Sequence, residues 1–282
     1  EEKTLSLPTQ ITLRESVIFW RVQEIINSQK AGNVMKLDVL GLMAACSYAL
    51  DCVEAELVYV TNNHAKRVAY MSVSIAREMG VEGESLQDLA VCALLHDNAL
   101  TQYIQEELHN DISQITVTNK IQQLGAHCSL GERNIQSLPF HTNVTGVILY
   151  HHENADSSGP FGKKWTEVPL FARIIHLCDL LDIACISRRV TAETWGKVQH
   201  FFQKTEGTMF DKECVKAFYK AFSEQDFLMI DDDNLDKMLW DKVPRIKQEL
   251  SFGHIKAVAN FFANIVDYKS PFTSTHSIGV AD

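Results

Sequence analysis

Apolar residues along this chain recur at helical rather than alternating spacing. Val68, Met71, Ile75 and Met79 form one stripe, and Leu86, Leu89, Ala90, Ala93 and Leu94 form a second. Val144, Val147 and Ile148 begin a third, and Phe171, Ile174, Ile175 and Cys178 mark a fourth. Strand-like alternation is confined to Ile112–Thr118, in a polar, loop-like setting. The pattern predicts an all-α protein. Before residue 55 it predicts two helices, at about 11–28 and about 36–53. Asp231-Asp232-Asp233-Asn234 and Asp241-Lys242-Val243-Pro244 read as breaks, and Lys247–Asp267 reads as one long exit helix. The chain therefore divides into an N-terminal helical segment (1–55), a central domain (56–245) and an exit helix with a short C-terminal tail (246–282).

Several polar residues sit where the stripes demand apolar ones. His64 lies one turn before Val68, and Asp97 one turn after Ala93 with His96 beside it. His151 and His152 continue the third stripe, and Asp179 follows Ile175 by four residues inside the fourth. A single inward histidine is ordinarily a satisfied core residue. Several together need common partners, because an unpaired buried polar group costs roughly 1–3 kcal/mol. A metal centre supplies such partners through neutral imidazole and carboxylate.

Charge narrows the classes of partner. The formal net charge is −10, which argues against a DNA or RNA duplex or an anionic membrane as the main partner, since both require a basic footprint. No apolar stretch approaches the roughly 18 residues of a membrane span, and the N-terminus carries no signal-like segment. The seven cysteines include no CxxC pair and most sit in apolar surroundings, which points to a reducing cytoplasm and to a site built from nitrogen and oxygen donors. Iron, manganese and zinc suit such donors.

His64-x-x-Arg67-Val68, Leu95-His96-Asp97, His127-x-x-x-Gly131, His151-His152-Glu153 and Ala172-Arg173-Ile174-Ile175-x-x-x-Asp179-x-x-Asp182 occur in the order seen in the HD superfamily, which the chain resembles over about residues 60–190. The branch it looks most like is the HD-GYP proteins, whose relatives hydrolyse cyclic di-GMP. The resemblance implies an HD-domain helical bundle with two divalent metal ions, iron by preference and manganese or zinc as alternatives. It places His64, His96 and Asp179 on one metal and His127, His151 and His152 on the other, with Asp97 bridging. Asp97 and His96 become the catalytic pair of a phosphohydrolase in which a metal-bridging hydroxide attacks phosphorus, with a cyclic dinucleotide as substrate. Val60 stands where some members carry a glutamate for a third metal, so two are expected. Arg188 and Lys164 are the candidate phosphate contacts, and Asp182 and Glu153 are candidates to brace the ligands from behind.

Three departures qualify the resemblance. The loop pattern HHE-x-x-D-G-x-G-Y-P becomes His151-His152-Glu153-Asn154-Ala155-Asp156-Ser157-Ser158-Gly159-Pro160-Phe161, and HD-x-G-K becomes His96-Asp97-Asn98-Ala99-Leu100. Leu100 cannot replace a lysine that contacts phosphate or donates a proton, at a cost on the order of a hundredfold in rate. A second basic position of the family is Thr191 here. A metal-bound but catalytically weak signalling module, binding a nucleotide or protein and relaying through the exit helix, is therefore the alternative. Such a helix would also serve a homodimer or a partner domain. Finally, Thr273, His276, Val280 and Ala281 match the offsets of Thr61, His64, Val68 and Ala69, so a further, truncated motif is expected to begin at the end of this sequence.

Overall fold

The computed structural model describes residues 35–44, 47, 63–106, 120–186 and 189–267. The expected helix at 11–28, the alternating segment at 112–118 and the repeat around His276 lie outside them. The described residues are mostly helical: α1 (His64–Glu78), α2 (Gly83–Leu94), α3 (Leu100–Glu106), α4 (Lys120–Ile135), α5 (Leu170–Leu181), α6 (Thr194–Thr205), α7 (Lys212–Ala221), α8 (Glu224–Leu228), α9 (Leu235–Trp240) and α10 (Phe252–Asp267).

Helix α1 is the axis of the fold. Every residue from His64 to Ala76 is buried, and α2, α5, α7 and α9 all pack on it. Its large stripe of Val68, Met71 and Ile75 fills one side, while Ala65, Ala69, Ser72 and Ala76 let neighbouring backbones approach the others. The helix stops at Gly80, whose φ of 82° suits a residue without a Cβ. There Val81 N–H donates to Ala76 O and Gly80 N–H to Arg77 O, a paired C-terminal closure. Behind α1, Trp195, Phe202, Phe218 and Phe227 from α6, α7 and α8 interlock with Phe222, just past α7, as an aromatic wall.

Three sequence expectations are corrected. The helix expected at about 36–53 starts later, at 39: β1 (Met35–Leu37) pairs antiparallel with β2 (Gln248–Leu250), helix is described at 39–44 and 47, and 48–53 lie outside the described residues. The exit helix begins at Phe252 rather than Lys247, because β2 takes the preceding residues. The third stripe, Val144 to His152, is a succession of turns instead of a helix. Gly146 sits at φ 82°, and the Glu132 carboxylate accepts the N–H groups of Gly146 and Leu149 at 2.6 and 3.0 Å. A side chain has taken two donors that a helix would need.

Candidate metal centre

Five elements deliver the histidines and aspartates to one interior. His64 opens α1 behind Asn63, which adopts a left-handed φ of 75°. His96 and Asp97 occupy the turn that ends α2, His127 projects from α4, His151 and His152 come from the turn held by Glu132, and Asp179 is in the last turn of α5. Asp97 is the hub. Its Oδ2 lies 3.3 Å from His96 Nε2, and its Oδ1 lies 3.2 Å from His127 Nε2 and 3.5 Å from His151 Nε2. Asp179 faces the cluster from the other side, with Oδ1 3.3 Å from His64 Nε2 and Oδ2 3.8 Å from His152 Nδ1. The rings of His151 and His152 are 4.1 Å apart, and those of His127 and His152 5.1 Å.

Tautomers follow from what each ring touches behind it. His96 Nδ1–H donates to Ala93 O at 2.9 Å and His151 Nδ1–H to Ile148 O at 2.6 Å. A carbonyl can only accept, so in the neutral rings Nε2 carries the lone pair and points inward. His64 is held in the same sense by Asp182, 2.7 Å from Nδ1. The inward atoms His64 Nε2, His96 Nε2, His151 Nε2, Asp97 Oδ1 and both oxygens of Asp179 are buried without a hydrogen-bond partner. Six such atoms converging in one place is an arrangement a shared cation resolves, and the nitrogen and oxygen donor set fits hard or borderline divalent ions.

Electrostatics divide the cluster. Burial by itself lowers the pKa of His64, but the carboxylates of Asp179 and Asp182 outweigh it and push it up to about 10. His96 is likewise raised above its ordinary value, burial being overcome by Asp97 and Asp179. His151 and His152 are lowered, first by burial and, for His152, by the neighbouring rings. Both aspartates are held well below the usual carboxylate range: burial would raise them, but the histidines prevail. Among these side chains only Asp97, 15% exposed, and His152, 9% exposed, reach solvent to any extent.

The remaining expected residues are placed variously. Asp182 backs His64, and Arg67 backs Asp182. Glu153 is buried but commits both oxygens to the loop, accepting from Phe161 N and Lys163 N, and braces no histidine. Lys164 is exposed, Lys163 pairs with Glu167 at 3.0 Å, and Arg188 lies outside the described residues. His176, buried beside the cluster, contacts Asn154 Oδ1 at 3.0 Å through Nε2 and is lowered to about 4 by burial. Sequence reasoning passed over Cys128, whose Sγ lies 3.7 Å from His127 Nε2 and from His151 Nδ1. Its adjacency to His127 was the available signal. Burial and the nearby carboxylates of Asp97 and Asp179 raise its pKa and keep it a thiol. Glu132, which holds the turn carrying two of the histidines, and Asp232, which pairs with Arg67, were also missed.

Residues 52–213 match the family model of the HD domain. The chain belongs to the HD domain family. A 3'3'-cGAMP-specific phosphodiesterase 1 of Vibrio cholerae serotype O1 is 26% identical to this HD protein over 229 residues, covering 78% of this chain and 52% of the relative. A cyclic di-GMP phosphodiesterase of Pseudomonas aeruginosa is 27% identical over 168 residues, covering 57% of this chain and 39% of the relative. The chain thus spans about half or less of the length of these relatives. A crystal structure of a cyclic GMP-AMP specific phosphodiesterase of V. cholerae superposes with a TM-score of 0.63 at 19% identity, over 86% of this chain and 63% of that one, and so shares the helical fold. Among the described residues no helix is long and apolar enough to cross a membrane.

Proposed function

We propose that this HD domain is a metal-dependent phosphodiesterase acting on a cyclic dinucleotide. The observation that carries the reading is the convergence of unpartnered, buried imidazole and carboxylate atoms on Asp97. His64, His96 and Asp179 would hold one divalent ion and His127, His151 and His152 the other, with an Asp97 oxygen facing each set. Bound there, the ions would supply Lewis acidity toward a phosphodiester. Iron is the preferred metal, with manganese or zinc as alternatives.

The chain's own residues define how substrate arrives. Asp97 and His152 form the accessible edge, so a phosphate approaches over them while the other ligands stay sealed. The carbonyls of Ala93 and Ile148 hold the inward nitrogens of His96 and His151 unprotonated when these rings are neutral. Arg188 and Lys164 are the proposed phosphate contacts, and relatives acting on cyclic di-GMP and 3'3'-cGAMP support the substrate class. The five described cysteines are free and buried, in keeping with a cytoplasmic setting.

The test is anaerobic turnover of cyclic di-GMP and 3'3'-cGAMP by protein loaded with Fe(II) or Mn(II), with Asp97→Ala as control. Linear product from wild type alone supports the proposal. A metal-loaded protein inert toward both would overturn it. One observation favours the alternative of a metal-bound signalling module: Leu100 packs with Ala126 and Leu130 around Tyr103 and Ile104, so a helix-packing apolar side chain stands where the family lysine would be.

A further inference from the structure

Arg67 is fully buried, on the face of α1 one turn beyond His64. Its guanidinium meets two carboxylates. Nε donates to Asp182 Oδ1 at 2.6 Å and Nη2 to Asp182 Oδ2 at 3.0 Å, while Nη1 donates to both oxygens of Asp232 at 3.1 Å. Asp182 Oδ2 also receives His64 Nδ1–H at 2.7 Å. An unbroken chain of charge-assisted contacts therefore runs from Asp232, 31% exposed at the surface, through Arg67 and Asp182 to the imidazole whose other nitrogen faces Asp179. Asp232 belongs to the turn before α9, beyond the residues that match the HD domain. The same segment grips α1 a second time, where Asp236 pairs with Lys66 at 2.8 Å, a contact that leads to no histidine.

We propose that Asp232 is a positioning residue for the metal centre, setting through Arg67 and Asp182 how strongly His64 donates to its metal. The physical argument is a competition for one guanidinium. While Asp232 shares it, Asp182 keeps enough negative charge to hold and polarise the His64 Nδ1–H, which makes Nε2 a better donor. Without Asp232, Arg67 leans more heavily on Asp182 and the acceptor behind His64 weakens. The inference rests on the metal reading above but not on catalysis.

The experiment titrates Mn(II) into the full wild-type chain, Asp232→Asn, Asp232→Glu and Asp236→Asn, reading free Mn(II) by electron paramagnetic resonance and helicity by circular dichroism. Asp232→Asn is expected to keep its capacity but weaken one binding step about tenfold, as loss of a partner behind a ligand does. Asp232→Glu, which keeps the charge, should recover most of that loss, and Asp236→Asn should bind like wild type. Wild-type affinity in Asp232→Asn, or equal weakening in Asp232→Asn and Asp236→Asn, would overturn the relay; the latter would show only that the segment clamps the helix. Should Asp232→Asn fail to fold, Asp232→Ser takes its place: binding weakened relative to Asp236→Asn supports the relay, and affinity equal to it overturns the relay. Wild type that binds no Mn(II) would overturn the metal reading and the relay together, whereas metal bound without turnover would overturn only the phosphodiesterase reading.

Discussion

The two halves of the histidine cluster are built on opposite electrostatic plans. His64 and His96 lie against carboxylates, and their pKa values rise despite burial. Burial drives the pKa values of His151 and His152 down, against Asp97 at His151 and with the help of neighbouring imidazoles at His152. Without a cation, the first half balances its aspartates with protons, while His151 and His152 wait as neutral rings. The difference shows that one centre can hold two binding positions with the same ligand chemistry and different proton costs. A metal entering the first half must expel protons, and one entering the second need not.

The severest test removes the hub. Asp97→Ala should abolish metal retention in both halves and reduce turnover to background while keeping the helical spectrum, as measured by elemental analysis and circular dichroism. Undiminished metal content would sink the bridging role. A narrower break separates the halves: His64→Ala and His151→Ala should each fall from two ions per chain to one, and loss of both from either variant would show that the halves do not act separately.

Acidity sharpens the contrast. Because His64 is protonated up to about pH 10 in the metal-free protein, affinity in its half should climb with pH by up to about tenfold per unit for each proton expelled. His151 and His152, lowered from the ordinary histidine pKa of about 6.5, should add no such slope above it. Mn(II) titrations at several pH values would show one steep and one level step, and two parallel slopes would refute the division.

Stability has the same signature. His176, lowered to about 4, is neutral in the fold but takes up a proton on unfolding below about pH 6.5. Its contribution, roughly 3 kcal/mol, is present above that value and lost as pH falls from about 6.5 toward about 4. His64 in the metal-free protein has the reverse sign: its contribution is present below about pH 6.5 and lost as pH rises through about 10. Urea unfolding of His176→Asn against wild type should show a gentler acid decline, and identical profiles would exclude the assignment. A smaller effect concerns the loop after His152. A Cβ at Gly159 would come within 2.7 Å of Glu153 Cα, so Gly159→Ala should cost about 1–3 kcal/mol in thermal unfolding, and no change would mean that the loop yields freely.

Much of this was legible from spacing. The stripes of α1, α2 and α5 lie where the apolar periods put them, and the ordered His and Asp residues meet in one cluster. Illegible parts had causes outside the local window. Strands of three residues leave no period to read, and their pairing joins Met35 to Leu250 across nearly the whole chain. The turns at 144–152 depend on Glu132, and the bracing of Arg67 depends on Asp232, both distant in sequence. The loop between Glu153 and Lys163 showed its altered pattern in the sequence, but not that Glu153 would hold it from within.

The grip of Glu132 on the turn at Gly146 and Leu149 has a consequence for how such a centre is inherited. Glu132 shares α4 with His127, and the turn it secures carries His151 and His152. Half of the cluster is thus tied together within one stretch, residues 127–152, by a contact made inside it. A recombination that moves this stretch whole would carry three donors together with the carboxylate that sets their turn, while Asp97 stays with the rest of the chain.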